Sequence, residues 1–234
     1  MNSGQIHFLT VQPCTSKGKR KIIAGINDVK KIYRSRGLWI VCFQGDNKFN
    51  INLLKQKMLP SDRNICAKDE HIHIIKRFIS TVKERSHFTT HSVPYTSFPI
   101  IITKSLFQGQ VSWLNIFLPT NGISDTISPT TIVPGKPEQY LSKPKIYIGA
   151  YALAYTKTIH CMTTRGVPSM TLQESNWQGG FYFMSLHSGK QIHSFNWKEL
   201  PIDDDVINCV ENSRYHNSSL FSNRGDSFLN GHQG

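Results

Sequence analysis

The chain has 234 residues, of which 38% are hydrophobic and 18% charged, with 27 Lys+Arg against 15 Asp+Glu for a net charge of +12. That length makes one large domain or two small ones and buries a core without disulfide or metal staples. The hydrophobic fraction excludes wholesale disorder, and the basic excess points to a polyanionic partner, nucleic acid or an anionic membrane. No run of about 18 apolar residues occurs, so no transmembrane helix is expected. Met1 to Gln12 lacks the basic start and long apolar stretch of a signal peptide. Cys14, Cys42, Cys66, Cys161 and Cys209 stand singly, without a CxxC pair. No disulfide partner and no zinc ribbon is expected. These features fit a nuclear or cytoplasmic location, not a secreted one.

Taken in chain order, Ile6–Val11 reads as a short strand, with Ile22–Ala24 as its partner across a Lys/Gly-rich turn. Asn27–Arg36 reads as a helix with Val29, Ile32 and Tyr33 on one face and Gly37 as its stop. Leu38–Phe43 (LWIVCF) is a continuous apolar run, expected to be a strand covered on both faces. Asn52–Met58 reads as a short helix and Asn64–Ala67 as a short strand. Ile74–Phe88 is the strongest helix, with Ile75, Phe78, Ile79 and Val82 at the spacing of a buried stripe. Pro99–Leu118 is apolar and helix-like over Leu106–Leu118. Residues 119–142 are rich in Pro, Ser, Thr and Gly and read as a linker. Lys145–Tyr155 alternates like a strand, with Ile146, Ile148, Tyr151, Leu153 and Tyr155 as its bulky members. Gly180–Leu186 and Gln191–Trp197 flank His187-Ser188-Gly189-Lys190, a hairpin signal. Asp203–Val210 reads as a short helix with acidic residues in its first turn. The polar tail from Asn212 reads as disordered. The fold class is thus α/β followed by a small all-β unit.

Asp46 is the sharpest candidate for chemistry, because α/β folds place their sites at the carboxyl ends of buried strands. Taken alone, it reads more readily as a turn residue in Gly45-Asp46-Asn47. Lys76, Ser80 and Lys83 share a face of the long helix, with Arg77, Glu84 and Arg85 nearby. Such a face tracks a phosphate backbone or is simply solvated. His71-x-His73 has no cysteine beside it and reads as surface. Asp203–Asp205 is better explained as a helix start than as a metal cluster. Arg224-Gly225-Asp226 and the glycosylation-like Asn217-Ser218-Ser219 lie in the polar tail with no secretory signal and read as chance. Trp39, Trp113, Trp177 and Trp197 are widely spaced and read as core or barrel residues rather than a stacking platform.

Read together, four segments resemble the Pol polyprotein of copia-type retrotransposons, from the integrase core into the region before reverse transcriptase. SRGLWIVCFQGDNKF resembles the strand that ends in the family's second metal-binding aspartate, matched by Asp46. DEHIHIIKRFISTVKER resembles the helix that carries the catalytic glutamate. WLNIFLPTNGISDTISPTTIVPGKP resembles the end of the core. GGFYFMSLHSGKQIHSFNWKELP resembles the small Src-homology-3-like barrel that follows. The resemblance implies a truncated RNase H-like core over 1–118, the linker 119–142, a barrel-like module over 143–200, a short helix at 201–211 and a tail at 212–234. It implies a magnesium- or manganese-dependent triad of two aspartates and a glutamate. The activity would be strand transfer, in which a 3′-hydroxyl of element DNA attacks a target phosphodiester.

The chain departs from that pattern where the chemistry lies. Lys76 occupies the place of the family's glutamate, and an ammonium offers no oxygen to a cation. Glu70 and Glu84 stand six and eight positions away, off that helix face. The strand bearing the first aspartate would precede Met1, which leaves Asp46 alone of three; two metal ions need about three converging carboxylates. No bound cofactor is therefore expected. The expected protein is an integrase remnant without catalysis; the alternative is a non-catalytic nucleic-acid-binding protein. Lys76, Arg77, Lys83 and Arg85 are the expected contacts to DNA or RNA. Loss of a central strand is expected to loosen the first half or to drive self-association through re-paired sheet edges.

Overall fold

A computed structural model of the chain describes residues 6–14, 16, 18–45, 49, 62–65, 73–135, 146–156, 164–175 and 179–220. The chain divides into two compact units: Met1–Ser92 with Leu106–Lys145, and Val93–Ser105 with Ile146–Gly234. Among the described residues, helices and a parallel strand pair make the first. A five-stranded antiparallel sheet with helical cover makes the second. Among the described residues no helix is long and apolar enough to cross a membrane.

The first unit opens on residues 6–14, which form no strand. His7 has a φ of 53°, outside the extended region, and the Asn115 side chain supplies what a neighbouring strand would. Its Oδ1 accepts from the Leu9 N–H and its Nδ2 donates to the Leu9 carbonyl, both at 2.8 Å. Helix α1, Lys19–Arg34, follows. It absorbs Ile22–Ala24, expected as a strand, because those residues continue the apolar stripe of Ile22, Ile23, Ile26, Val29 and Tyr33. Gly37, at φ 69°, ends the helix: the Leu38 N–H donates to the Tyr33 carbonyl and the Gly37 N–H to the Arg34 carbonyl, a glycine-closed helix end. Ile23 is buried, with Ile26, Phe43 and Phe49 packed against it.

Strand β1, Cys42–Gly45, pairs in parallel with β2, Asp62–Ile65, Cys42 standing opposite Asp62. The strand expected over Leu38–Phe43 therefore begins late, and it is not covered on both faces, since Trp39 and Val41 are exposed. Trp39 and Val41 precede the paired residues, so among the described residues no neighbouring strand flanks them. The second strand lies two residues earlier than Asn64–Ala67. The helix expected over Asn52–Met58 lies outside the described residues.

Helix α2, His73–His91, carries the expected stripe only in part. Val82 is buried, but Ile75 and Ile79 are 44% and 50% exposed. Phe78 meets the His7 ring at 6.1 Å, and Thr89 accepts a bond from Gln110 at 2.9 Å. Helix α3, Ile100–Ile116, begins six residues before Leu106. Residues 119–135, read as linker, hold a one-turn helix α4, Pro129–Ile132, capped by Ser128, and the fully buried Val133.

The second unit is a sheet of β3 (Tyr151–Tyr155), β4 (Gly166–Glu174), β5 (Phe181–Ser185), β6 (Gln191–Ser194) and β7 (Trp197–Glu199), in the order β6-β5-β4-β3-β7. The hairpin at His187–Lys190 forms as expected, with Gly189 at φ 62°. Strand β6 stops at Ser194 and Trp197 starts β7, so Gln191–Trp197 is two strands. β6 and β7 are the two edges, yet only Phe195 and Asn196 join them. Four flat strand spacings would separate those edges by about 19 Å, whereas three residue steps reach about 11 Å at most. The sheet must curl to bring its edges together. Tyr155 at the end of β3 pins the corner: its N–H donates to the Asn196 carbonyl at 3.0 Å, and its carbonyl accepts from the Ser194 hydroxyl at 2.7 Å. A shift of register in β4 between Thr171 and Glu174 lets the longest strand bend.

Curling gives the sheet two different faces. Ile146, Ala152, Ala154, Phe181 and Phe183, with Ile192 and Trp197, form one cluster. Met170, Leu172 and Met184 form the other, covered by Tyr95 and Ile102 and by Val206 and Val210 of α5, Asp204–Leu220. The strand expected over Lys145–Tyr155 begins only at Tyr151, and its fully buried residues are Ala152 and Ala154, because the rings of β5 and β7 fill that side. Asp203 caps α5, its Oδ1 accepting from the Val206 N–H at 2.9 Å. The helix runs to Leu220, past the expected Val210 and over residues 212–220 of the tail. Residues 221–234 lie outside the described ones.

Candidate nucleic-acid interface

The charge is not shared between the units. By sequence the first carries 20 Lys+Arg against 8 Asp+Glu, the whole net +12, and the second carries 7 of each. Two helices of the first unit present much of that excess.

Helix α1 has Lys19, Arg20, Lys21, Lys30, Lys31 and Arg34 against Asp28 alone. At 100° per residue, Arg20, Asn27, Lys31 and Arg34 fall within about 60° of one another, about 120° from the centre of the apolar stripe. Lys31 and Asp28 form an exposed pair at 3.3 Å. Lys30 is on the inner side, and burial together with the neighbouring Arg34 guanidinium holds its ammonium below the usual lysine range. An open groove of about 390 Å³ runs along this helix, lined among the described residues by Ala24, Asn27, Asp28, Lys30, Lys31 and Arg34. Just past the helix end, Trp39 is 70% exposed, with the Arg34 guanidinium 5.4 Å from its ring centre. Arg36 is committed to the fold: it donates to the Pro134 carbonyl at 3.1 Å. Gly135, at φ 73°, leaves the space its guanidinium fills.

On α2 the expected residues separate. Lys76, Arg77, Lys83 and Arg85 are all exposed. Lys76, Ser80, Lys83 and His87 follow one edge of the helix, with Lys76 and Lys83 about 20° apart. Arg77 lies about 100° from Lys76, beside Glu84, and Arg85 about 180° away. Ser80 donates to Glu84 at 3.0 Å. One face therefore presents Lys76 and Lys83, and the two arginines address other directions.

Asp46 lies outside the described residues. Lys76 is an exposed ammonium and offers no oxygen to a divalent cation. Among the described residues no three His, Cys, Asp or Glu side chains gather. The tryptophans differ from expectation in part: Trp197 packs in the sheet's cluster, but Trp39 and Trp113 are exposed. Sequence reading missed α1 as a basic element, although the segments KGKRK and KKIYR carry the signal at helical spacing. No protein-family model matches the chain, and no curated protein matches it.

Proposed function

We propose that this chain is a nucleic-acid-binding protein derived from the integrase region of a copia-type Pol polyprotein, and that it performs no strand transfer. One observation carries the binding reading: the entire net charge excess falls on one unit, where α1 and α2 expose much of it. A net charge serving solubility alone has no reason to gather on one unit. The descent is supported by the order of the four motifs and by the parallel pair β1–β2 followed by the long α2, which suits an RNase H-like core. It is further supported by the curled sheet whose last strand returns to pair with its first, an arrangement suited to a small Src-homology-3-like barrel. Lys76 supports the loss of chemistry, because it places a cation where the family places a metal ligand.

Fluorescence anisotropy with labelled duplex DNA and RNA tests this reading. Affinity should fall steeply with salt, log K changing with log salt at about −0.9 per phosphate contact on duplex DNA. Salt-independent affinity, or none at low salt, would remove the binding reading. Lys76→Glu should not produce magnesium-dependent nicking; if it did, the placement of the triad would be wrong.

A further inference from the structure

Trp39 is the most exposed tryptophan among the described residues, at 70%, and it follows the C-terminal end of α1, where Arg34 lines the basic groove. The Arg34 guanidinium, 5.4 Å from the ring centre, ties the indole to the helix's cationic face. We infer that the α1 groove and Trp39 together bind single-stranded nucleic acid, phosphates lying along Arg20, Lys31 and Arg34 and one unpaired base stacking on the indole. This rests on the nucleic-acid reading above and names the class of strand.

The charge alone would suit a duplex as well; the aromatic decides. A duplex hides the faces of its bases in its own stack and offers edges in its grooves. Only an unpaired base presents a face to an indole, and bases stack on aromatic rings and on guanidinium planes alike. The Arg34 guanidinium lies over the indole, and with 70% of Trp39 exposed a base can stack on the ring's other face. The helix start adds to the attraction. Lys19, Arg20 and Lys21 crowd the N-terminal turn of α1, where the helix dipole already disfavours cations and favours an anion. The only carboxylate in the groove's described lining, Asp28, takes one donor of Lys31 at 3.3 Å. An exposed pair of this kind is weak and leaves the ammonium's other donors for a phosphate.

The test is anisotropy of the full chain with labelled oligo-dT and with a duplex of the same length, for the native chain and for Trp39→Ala, Trp39→Phe and Arg34→Lys. Trp39→Ala should weaken oligo-dT about tenfold and leave the duplex unchanged; Trp39→Phe should keep most of the affinity. Arg34→Lys, which retains charge but removes the plane, should weaken oligo-dT selectively. Unchanged oligo-dT binding in Trp39→Ala, or equal loss on both strands, overturns the inference while leaving the nucleic-acid reading in place. If the Trp39→Ala chain fails to fold by circular dichroism, the other two variants decide on the same criterion. If the native chain binds neither strand, the nucleic-acid reading fails first and this inference with it.

Discussion

Replacing Phe183 with alanine should cut deeply into the stability of the β unit. Phe183 is wholly buried, with Trp197 at 6.0 Å and Phe181 at 6.5 Å between ring centres. Deleting a core phenylalanine ring costs about 3–5 kcal/mol, the amount depending on how far the surroundings collapse into the gap. Collapse is limited here. The buried β3 residues in the same cluster are Ala152 and Ala154, which have no side-chain length to extend, and hydrogen bonds on both sides hold β5 in its register. The loss therefore belongs at the upper end, a large part of a total stability of about 5–15 kcal/mol. Urea denaturation followed by circular dichroism measures it, with Phe88→Ala as control. Phe88 is 78% exposed on α2, so its removal should change stability by no more than about 0.5 kcal/mol. A Phe183→Ala loss under about 1 kcal/mol would refute a rigid packed cluster inside the curled sheet.

Glycine substitutions separate backbone strain from collision. Gly37 and Gly180 both have left-handed φ, 69° and 71°, but a Cβ on Gly37 meets nothing within 4 Å while one on Gly180 comes 2.5 Å from the Ser194 carbonyl oxygen. Gly37→Ala should cost about 1–2 kcal/mol, and Gly180→Ala clearly more, read as the difference in midpoint of thermal unfolding. Glu211 makes the fold acid-sensitive near α5. Its carboxylate accepts from the Thr96 hydroxyl at 2.6 Å and the Thr96 N–H at 2.8 Å. These bonds hold its pKa below the ordinary 4.5. A depressed carboxyl stabilises above its unfolded pKa and loses that contribution as pH falls through the folded value. Protection of the Thr96 amide against hydrogen exchange should fall over that acid range, and the pH dependence should vanish in Glu211→Gln. Tyr95 works at the other end. Burial pushes its hydroxyl up to about 12, so its contribution is complete below pH 10 and is lost as pH rises toward that value; Tyr95→Phe should flatten the alkaline limb of stability.

The sequence made the helices most legible, because an apolar stripe at helical spacing is visible without a partner. Val82 is buried as expected on α2, and the hairpin turn at Gly189 was marked by its residue types. Strand β4, the middle of the sheet, went unread. Pro168 stands inside it, and proline is normally penalised in a central strand because it lacks the N–H donor; here its carbonyl still accepts from the Leu186 N–H just past the end of β5. Ser169 and Thr171 are also fully buried there, which erases the usual alternation of polar and apolar positions. β7 is three residues long and pairs with β3 far earlier in the chain, a long-range pairing with no local signature. Leu38–Val41 shows the opposite failure: an apolar run implies burial only if something covers it. The site was half legible for the same reason. Charge counts identify a basic chain, but that α1 gathers Arg20, Lys31 and Arg34 on one face beside an exposed Trp39 depends on where the helix begins.

Lysine footprinting on the full chain locates the bound strand most directly. Acetylation followed by mass spectrometry, with and without oligo-dT, compares Lys31, Lys76 and Lys83 of the basic unit with Lys190 and Lys198 of the neutral β unit. Protection confined to the first set is the predicted result. Equal protection of both sets, or protection of Lys190 and Lys198 alone, would contradict an interface built on the helices.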